Sequence, residues 1–115
     1  MKPKATEFWA AADELVRSSP VHIDRPAGTP HKISPNCVYP LDYGFLADTR
    51  ANDGAGVDVW LGSGDRSVVT AAFLTVDSIK KDAEVKFALG CTEADLDCIA
   101  DFFRSLPLPF TLVRR

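Results

Sequence analysis

Four aspartates stand in two pairs, and the members of each pair are five residues apart. Asp53 and Asp58 lie in NDGAGVDVW, and Asp77 and Asp82 lie in TVDSIKKDAEV. In each pair one carboxylate lies at a turn or strand end and the other enters the next strand, so the fold could bring all four to one mouth. Mg²⁺ takes carboxylate oxygens and keeps waters and substrate phosphates as further ligands. The spacing therefore indicates a Mg²⁺ site, although aspartate is also a common turn residue and plain turns would give the same pattern.

The segment YPLDYGFL contains both tyrosines of the chain, Tyr39 and Tyr43. The proline favours extended backbone before it, and Gly44 permits a close approach of another backbone. A phenol can donate a hydrogen bond to a phosphate oxygen. The same pattern also fits two aromatic side chains that pack against the core, so both interpretations stay open.

A phosphate ligand needs cations around it, and the chain offers several. Most basic side chains are expected to be solvated surface charges. Lys80 and Lys81 stand between Asp77 and Asp82, close in sequence to two of the candidate carboxylates. The basic candidates are Arg25, Lys32, Lys80, Lys81, Lys86, Arg114 and Arg115.

The elements that would position these residues are mostly short strands. Apolar residues at helical spacing predict a helix over residues 6–16, with Phe8, Trp9, Ala12 and Leu15 on its apolar face. Strands are predicted at 21–24, 37–39, 57–61, 67–76 and 84–89, with a hairpin turn at GSGDRS. Thr92 is a suitable N-cap for a second helix, and PFTLVRR could form a final edge strand. We therefore predict a mainly β fold, a small barrel or sandwich, with flanking helices.

Length and charge narrow the class of protein. The chain has 115 residues, so residues 1–115 are expected to form a single domain. Its 13 basic and 16 acidic residues give a net charge of -3, without the basic excess of a nucleic-acid binder. No apolar run is long enough to span a bilayer, and acidic residues interrupt the apolar N-terminal stretch. We predict a cytoplasmic protein that binds neither nucleic acid nor membrane.

Taken together, three segments resemble the soluble inorganic pyrophosphatases of the single-barrel type (family I). That family has a Tyr-Pro-x-x-Tyr-Gly segment, then an Asp-Gly-x-x-x-Asp-Val motif, and later two aspartates five residues apart. YPLDYGF, DGAGVDV and TVDSIKKDAEV occur here in the same order and with matching spacing. The resemblance extends over about residues 21–89.

The resemblance implies a small five-stranded oligonucleotide-binding-type (OB-like) barrel with N-terminal and C-terminal helices. It also implies a Mg²⁺-dependent hydrolase, with Mn²⁺ as a possible substitute, in which a metal-activated water attacks pyrophosphate. Asp58 would bridge two metals, Tyr43 would donate to phosphate, and Lys32 would be a phosphate cation. Homo-oligomers are expected as well. The implied metal ligands are Asp53, Asp58, Asp77 and Asp82.

The chain departs from the family pattern at several positions. Ala55 stands where the family has the aspartate that deprotonates the nucleophilic water, and Glu84 stands where it has a lysine. The stretch that would carry a phosphate-binding arginine is shortened. Two functions follow: hydrolysis of pyrophosphate or a related phosphoanhydride, or a catalytically depleted module that binds metal and phosphate. A plain small-barrel interaction protein is a third possibility.

Overall fold

Six strands form one sheet in a computed structural model that describes residues 5–115, with Ala5 described by its backbone alone. One helix packs on each face of the sheet. Both predicted helices and the predicted final strand are confirmed. The elements are α1 (Ala5–Arg17), β1 (Val21–Arg25), β2 (Asp42–Leu46), β3 (Val57–Leu61), β4 (Val69–Asp77), β5 (Asp82–Leu89), α2 (Glu93–Ser105) and β6 (Phe110–Arg114).

The strands follow the order β1-β2-β3-β5-β4-β6 across the sheet. Neighbours are antiparallel except for β3 and β5, which are parallel. The predicted mainly β fold with flanking helices is confirmed. The sheet is open, because β6 pairs with the outer side of β4 and no ladder within residues 5–115 joins β1 to that side.

The prediction of a strand at residues 37–39 is wrong, and β2 begins instead at Asp42. Val38 makes only an isolated bridge with Pro30. Pro40 has no N–H group, so pairing cannot continue through it. β2 then runs close to β1, where a bulge at Asp24 interrupts the register between Ile23 and Arg25.

The prediction of a hairpin at GSGDRS is also wrong. β3 pairs with β5, and β4 lies on the far side of β5. The segment runs alongside the end of β5 instead: the N–H of Gly62 donates to the carbonyl of Leu89 at 2.8 Å, and that of Gly64 donates to Gly90 at 2.7 Å. A side chain at position 62 would meet the carbonyl of Gly90, so glycine is needed for this approach rather than for a hairpin.

Strand alternation divides the core into two layers. On one face, Trp9, Ala12 and Val16 of α1 pack against Val59 and Phe87. On the other, hereafter the α2 face, the buried residues of α2 pack against Trp60, Phe73 and Ala88 of the sheet; they are Leu96, Ile99, Ala100, Phe102 and Phe103. Because β3 alternates, Asp58 lies on the same face as Trp60.

A partly buried ion pair between Asp13 and Arg115 joins α1 to the segment that follows β6. Asp13 is 8% exposed; its carboxylate accepts from the N–H of Val69 at 2.9 Å and from Arg115 at 2.8 and 2.9 Å. Burial opposes ionisation, but the Val69 N–H and the Arg115 guanidinium together hold the pKa of Asp13 below its ordinary value.

Asp13→Ala should lower the free energy of unfolding by about 2–3 kcal/mol at neutral pH, because it leaves the Val69 N–H and Arg115 without their acceptor. Urea unfolding measures the difference. Glu14→Ala is the matched control, since Glu14 is exposed and the one ion pair that it makes within residues 5–115 joins it to Arg17 at 3.5 Å. A loss in Asp13→Ala no larger than in the control would contradict the assignment.

The Asp13–Arg115 ion pair also predicts how the stability of the protein changes with pH. A carboxyl whose pKa is lowered on folding stabilises fully above its unfolded pKa of about 3.9, and loses that contribution as pH falls through the folded value. The stability gap between the wild type and Asp13→Ala should therefore be constant near neutrality and shrink below about pH 4.

Candidate functional site

A buried lysine occupies the centre of the candidate site. The Lys86 side chain is 9% exposed. Its Nζ donates to the hydroxyl of Tyr43 at 2.7 Å, to Oδ2 of Asp58 at 2.8 Å and to Oε2 of Glu84 at 2.7 Å. These three partners use all three ammonium hydrogens. We call the four residues the Lys86 cluster.

The sheet brings the Lys86 cluster together from three strands. β3 and β5 are parallel neighbours with Asp58 opposite Lys86. Glu84 is two residues before Lys86 on β5, so both side chains point to the α2 face. Tyr43 on β2 is opposite Trp60, the next residue of β3 on that face. The cluster therefore depends on strand pairing and not on one local motif.

Lys86 and Tyr43 both keep their protons at neutral pH. Burial disfavours the ammonium of Lys86, but its interactions with Tyr43, Asp58 and Glu84 outweigh burial and raise the pKa of Lys86 above its ordinary value. Burial raises the pKa of Tyr43, with Lys86 opposing it in part. Tyr43 therefore accepts from Lys86 while its own O–H remains available to Asp58 or to a ligand oxygen.

A polar pocket of about 190 Å³ opens beside the cluster on the α2 face. Aromatic rings from α2, β3 and the β1–β2 loop form its wall, including Trp60, whose ring lies 4.6 Å from that of Tyr43. The Trp60 indole N–H is buried and finds no conventional acceptor within residues 5–115. The polar lining residues are His31, Tyr39, Tyr43, Thr75, Asp77, Lys80, Asp82, Glu84 and Lys86.

Asp77 and Asp82 meet at the end of the β4–β5 hairpin, at the rim of this pocket. They are opposite each other in the strand register. Asp77 Oδ1 accepts from the N–H groups of Ile79 and Lys80, each at 3.0 Å. The side chain of Asp82 is exposed and makes no hydrogen bond or ion pair within residues 5–115. Like charges on facing strand positions repel, so a cation here would stabilise the hairpin end.

Of the other predicted site residues, Asp53, Asp58 and Lys32 do not line the polar pocket, although Asp58 bonds to the Lys86 that does. Asp53 is exposed in a turn, where its Oδ1 accepts from the N–H of Ala55 at 3.0 Å and Gly54 has φ +87°. Asp53 and Asp58 line a different hollow, described below. Lys32 is exposed in the β1–β2 loop and is not among the residues of 5–115 that line the polar pocket.

The side chains that are available as ligands limit where a metal ion could bind. Within residues 5–115, no three His, Cys, Asp or Glu side chains are grouped to hold an ion. Asp58 and Glu84 each give an oxygen to Lys86, so as arranged they do not fit a resident divalent ion. Asp77 and Asp82 supply two carboxylates, which is the number that Mg²⁺ commonly uses when water and substrate provide its other ligands.

Sequence reasoning missed His31 and named Lys86 only as one of several candidate phosphate cations, whereas its three N–H groups are engaged by Tyr43, Asp58 and Glu84. The Nδ1 of His31 accepts from the N–H groups of Ile33 and Ser34, both at 3.2 Å, so the ring proton is on Nε2. Burial and the charges of Arg25 and Lys80 lower the pKa of His31. It is thus a neutral N–H donor at the pocket. The alternation of Glu84 and Lys86 along one strand was the available signal for Lys86.

A second hollow, of about 480 Å³ and mostly apolar, lies on the face of the sheet that α1 packs against, hereafter the α1 face. Phe8 and Trp9 of α1 and Phe87 of β5 are among the residues that line it. Several large apolar side chains on this face are well exposed. They are Phe8 (52%), Leu74 (38%), Val76 (52%), Val85 (44%) and Val113 (41%).

Comparison with known proteins adds no relative: no protein-family model and no curated protein sequence matches the chain. Within residues 5–115, neither helix has the length and apolarity needed to cross a bilayer.

Proposed function

We propose that the chain is a short, divergent relative of the soluble inorganic pyrophosphatases that takes Mg²⁺-bound pyrophosphate, or a related phosphoanhydride, into the polar pocket and hydrolyses it slowly. One observation carries the proposal. The residues of three separate sequence motifs, Tyr43, Asp58, Asp77 and Asp82, come from four different strands and border the polar pocket or bond to the Lys86 that lines it.

The strand order supports the same relationship. An OB-type barrel is a five-stranded, partly open Greek-key arrangement. β1 to β5 follow the order 1-2-3-5-4, with β3 and β5 parallel, which is the connectivity of such a barrel. We propose that the sheet is an opened form of it, in which β6 takes the side of β4 where β1 would close the barrel.

The chain's own residues define the chemistry of the pocket. Lys80 and the Nε2–H of His31 are available to bind phosphate oxygens, and the Tyr43 hydroxyl can donate a further hydrogen bond. Lys86 offsets the charges of Asp58 and Glu84 without a free N–H of its own. A Mg²⁺ bound with the substrate at Asp77 and Asp82 would polarise the phosphoryl oxygens.

A second candidate is a module that binds the same ligand without hydrolysing it. The specific observation in its favour is that Ala55 supplies no carboxylate, while Asp58 is engaged by Lys86 at 2.8 Å. No general base of the family type remains at these two positions, and a missing base typically lowers the rate by about 10²–10⁴-fold.

Phosphate release from pyrophosphate with Mg²⁺ tests both candidates. We expect slow release by the wild type, reduced at least about tenfold in Asp82→Asn, because a lost substrate-positioning ligand commonly has effects of this size. Asp97→Asn, on the exposed side of α2, is the matched control and should keep wild-type release. Calorimetry with Mg²⁺ and methylene diphosphonate then separates binding from hydrolysis: binding without release selects the second candidate, and neither binding nor release rejects both.

We also propose that the chain forms a homo-oligomer through its exposed apolar α1 face, because monomers rarely leave such a patch in water. Light scattering should give more than the monomer mass. Leu74→Glu should shift the mass toward the monomer, whereas Ile79→Glu should not, since Ile79 is 92% exposed at the tip of the β4–β5 hairpin. A monomer mass for the wild type over a wide concentration range would contradict the proposal.

A further inference from the structure

The position between Asp58 and Glu84 is occupied by an ammonium group. Lys86 Nζ lies 2.8 Å from Asp58 Oδ2 and 2.7 Å from Glu84 Oε2, and the Tyr43 hydroxyl is its third partner at 2.7 Å. The two carboxylate side chains are about a quarter exposed, at 27% and 26%, while the lysine side chain is 9% exposed. The cation is therefore the innermost member of the cluster, with the carboxylates between it and solvent.

Charge and geometry explain why this position needs a cation. Two carboxylates that converge on one point repel each other, and removing them partly from water makes the repulsion stronger. A single positive charge offsets one of the two negative charges and binds both groups. Three oxygens from three strands around one small cation also resemble, in number and kind, the protein ligands of a hard divalent ion.

We propose that the Lys86 ammonium is a built-in cation that substitutes for a divalent ion between Asp58 and Glu84, so that the chain binds divalent metal only at Asp77 and Asp82, together with its phosphate ligand. The part concerning Asp77 and Asp82 rests on the proposed function; the part concerning Lys86 does not. The expected ligand is therefore a phosphoanhydride that carries one divalent ion, rather than a phosphoanhydride that several divalent ions bind at once.

An unusual consequence is that removing a positive charge should create a metal site. In Lys86→Ala the oxygens of Asp58, Glu84 and Tyr43 surround a space that the side chain has left. Water and a divalent ion can enter it from the polar pocket, which Glu84 and Tyr43 line. Arginine at position 86 would keep the positive charge there and should leave no such site.

Mn²⁺ titration followed by electron paramagnetic resonance tests this without any phosphate ligand. We expect Lys86→Ala to bind one more Mn²⁺ per chain than the wild type, with at least tenfold higher affinity than any wild-type site. Lys86→Arg and the double variant Lys86→Ala/Asp58→Asn should show no gain. Lys80→Ala removes an exposed lysine of the same pocket and should also gain nothing. No additional Mn²⁺ in folded Lys86→Ala would overturn the proposal, as would an equal gain in the double variant.

Loss of the ammonium could also prevent Lys86→Ala from folding. In that case millimolar Mn²⁺ should restore its circular dichroism and cooperative melting, while the melting temperature of Lys86→Ala/Asp58→Asn should not respond. A Lys86→Ala chain that stays unfolded in Mn²⁺ would count against the proposal. Because pyrophosphate is absent from every arm, the result is independent of whether the wild type hydrolyses or binds it.

Discussion

Ala55→Asp is expected to raise Mg²⁺-dependent pyrophosphate hydrolysis at least about tenfold. A positioned carboxylate acting as general base typically contributes about 10²–10⁴-fold, and we expect a gain below that range because Asp58 is already bonded to Lys86. The turn can accept the longer side chain, because Ala55 is exposed and its backbone N–H already donates to Asp53 at 3.0 Å. Ala55 does not line the polar pocket itself, but it stands three residues before Asp58, which bonds to the Lys86 that does. The measurement is phosphate release at saturating Mg²⁺, so that tighter metal binding alone does not register as a faster rate.

Ala55→Asn is the matched control, because it has the size of aspartate and no basic oxygen of comparable strength. We expect its rate to stay at the wild-type level. If a folded Ala55→Asp protein is no faster than Ala55→Asn, then another residue already serves as the base or pyrophosphate is not the substrate. The first outcome would keep the proposed function, and the diphosphonate binding experiment distinguishes it from the second.

Gly44→Ala is expected to lower the free energy of unfolding by about 3 kcal/mol, at the upper end of the usual range for overpacking. A Cβ at position 44 would collide with the carbonyl oxygen of His22 and would lie 2.8 Å from its carbonyl carbon and 2.9 Å from Cα of Ile23. These are backbone atoms of β1, so they cannot move aside as a flexible side chain would. Chemical denaturation with urea gives the change directly.

Gly28→Ala separates this collision from backbone strain. Gly28 has φ +90° and nothing within 4 Å of an added Cβ, so alanine there costs only the left-handed conformation, about 1–2 kcal/mol. Gly44 carries no positive φ, and its loss should come from contact alone. If Gly44→Ala is no more destabilised than Gly28→Ala, the close approach of β1 and β2 is not as tight as the structure has it.

Local patterns in the sequence predicted the elements but not the details of their packing. The apolar periodicity of α1 is correct, yet the buried face contains Trp9, Ala12 and Val16, and Phe8 is 52% exposed. Apolar periodicity predicts which residues of α1 share one face. Which of them are buried depends on the part of the sheet that α1 covers, and it covers the sheet only in part. The predicted turn at Asp53-Gly54 and the strand-end positions of Asp77 and Asp82 needed only local chemistry, and they are confirmed.

The neighbours of each strand could not be predicted in the same way. A hairpin between β3 and β4 was the simplest expectation, but the parallel β3–β5 pair displaces it. The Lys86 cluster is a product of that pairing, since Asp58 and Lys86 meet only because β3 and β5 are adjacent. The sequence motifs implied a metal for Asp58 and offered Lys86 only as one of several phosphate cations. No local pattern in the sequence indicates that the two side chains would bind each other instead.

The parallel β3–β5 pair also bears on how the chain folds. Asp58 and Lys86 are 28 residues apart, whereas the β4–β5 hairpin closes over the short turn between Asp77 and Asp82. Contacts that close long loops form later than local ones, so β5 should acquire β4 before β3 docks. During that interval Glu84, two residues away on the same strand, is the only carboxylate of the cluster within reach of Lys86. The lysine would therefore enter the interior already accompanied by a counter-charge, and the docking of β3 would add the second carboxylate.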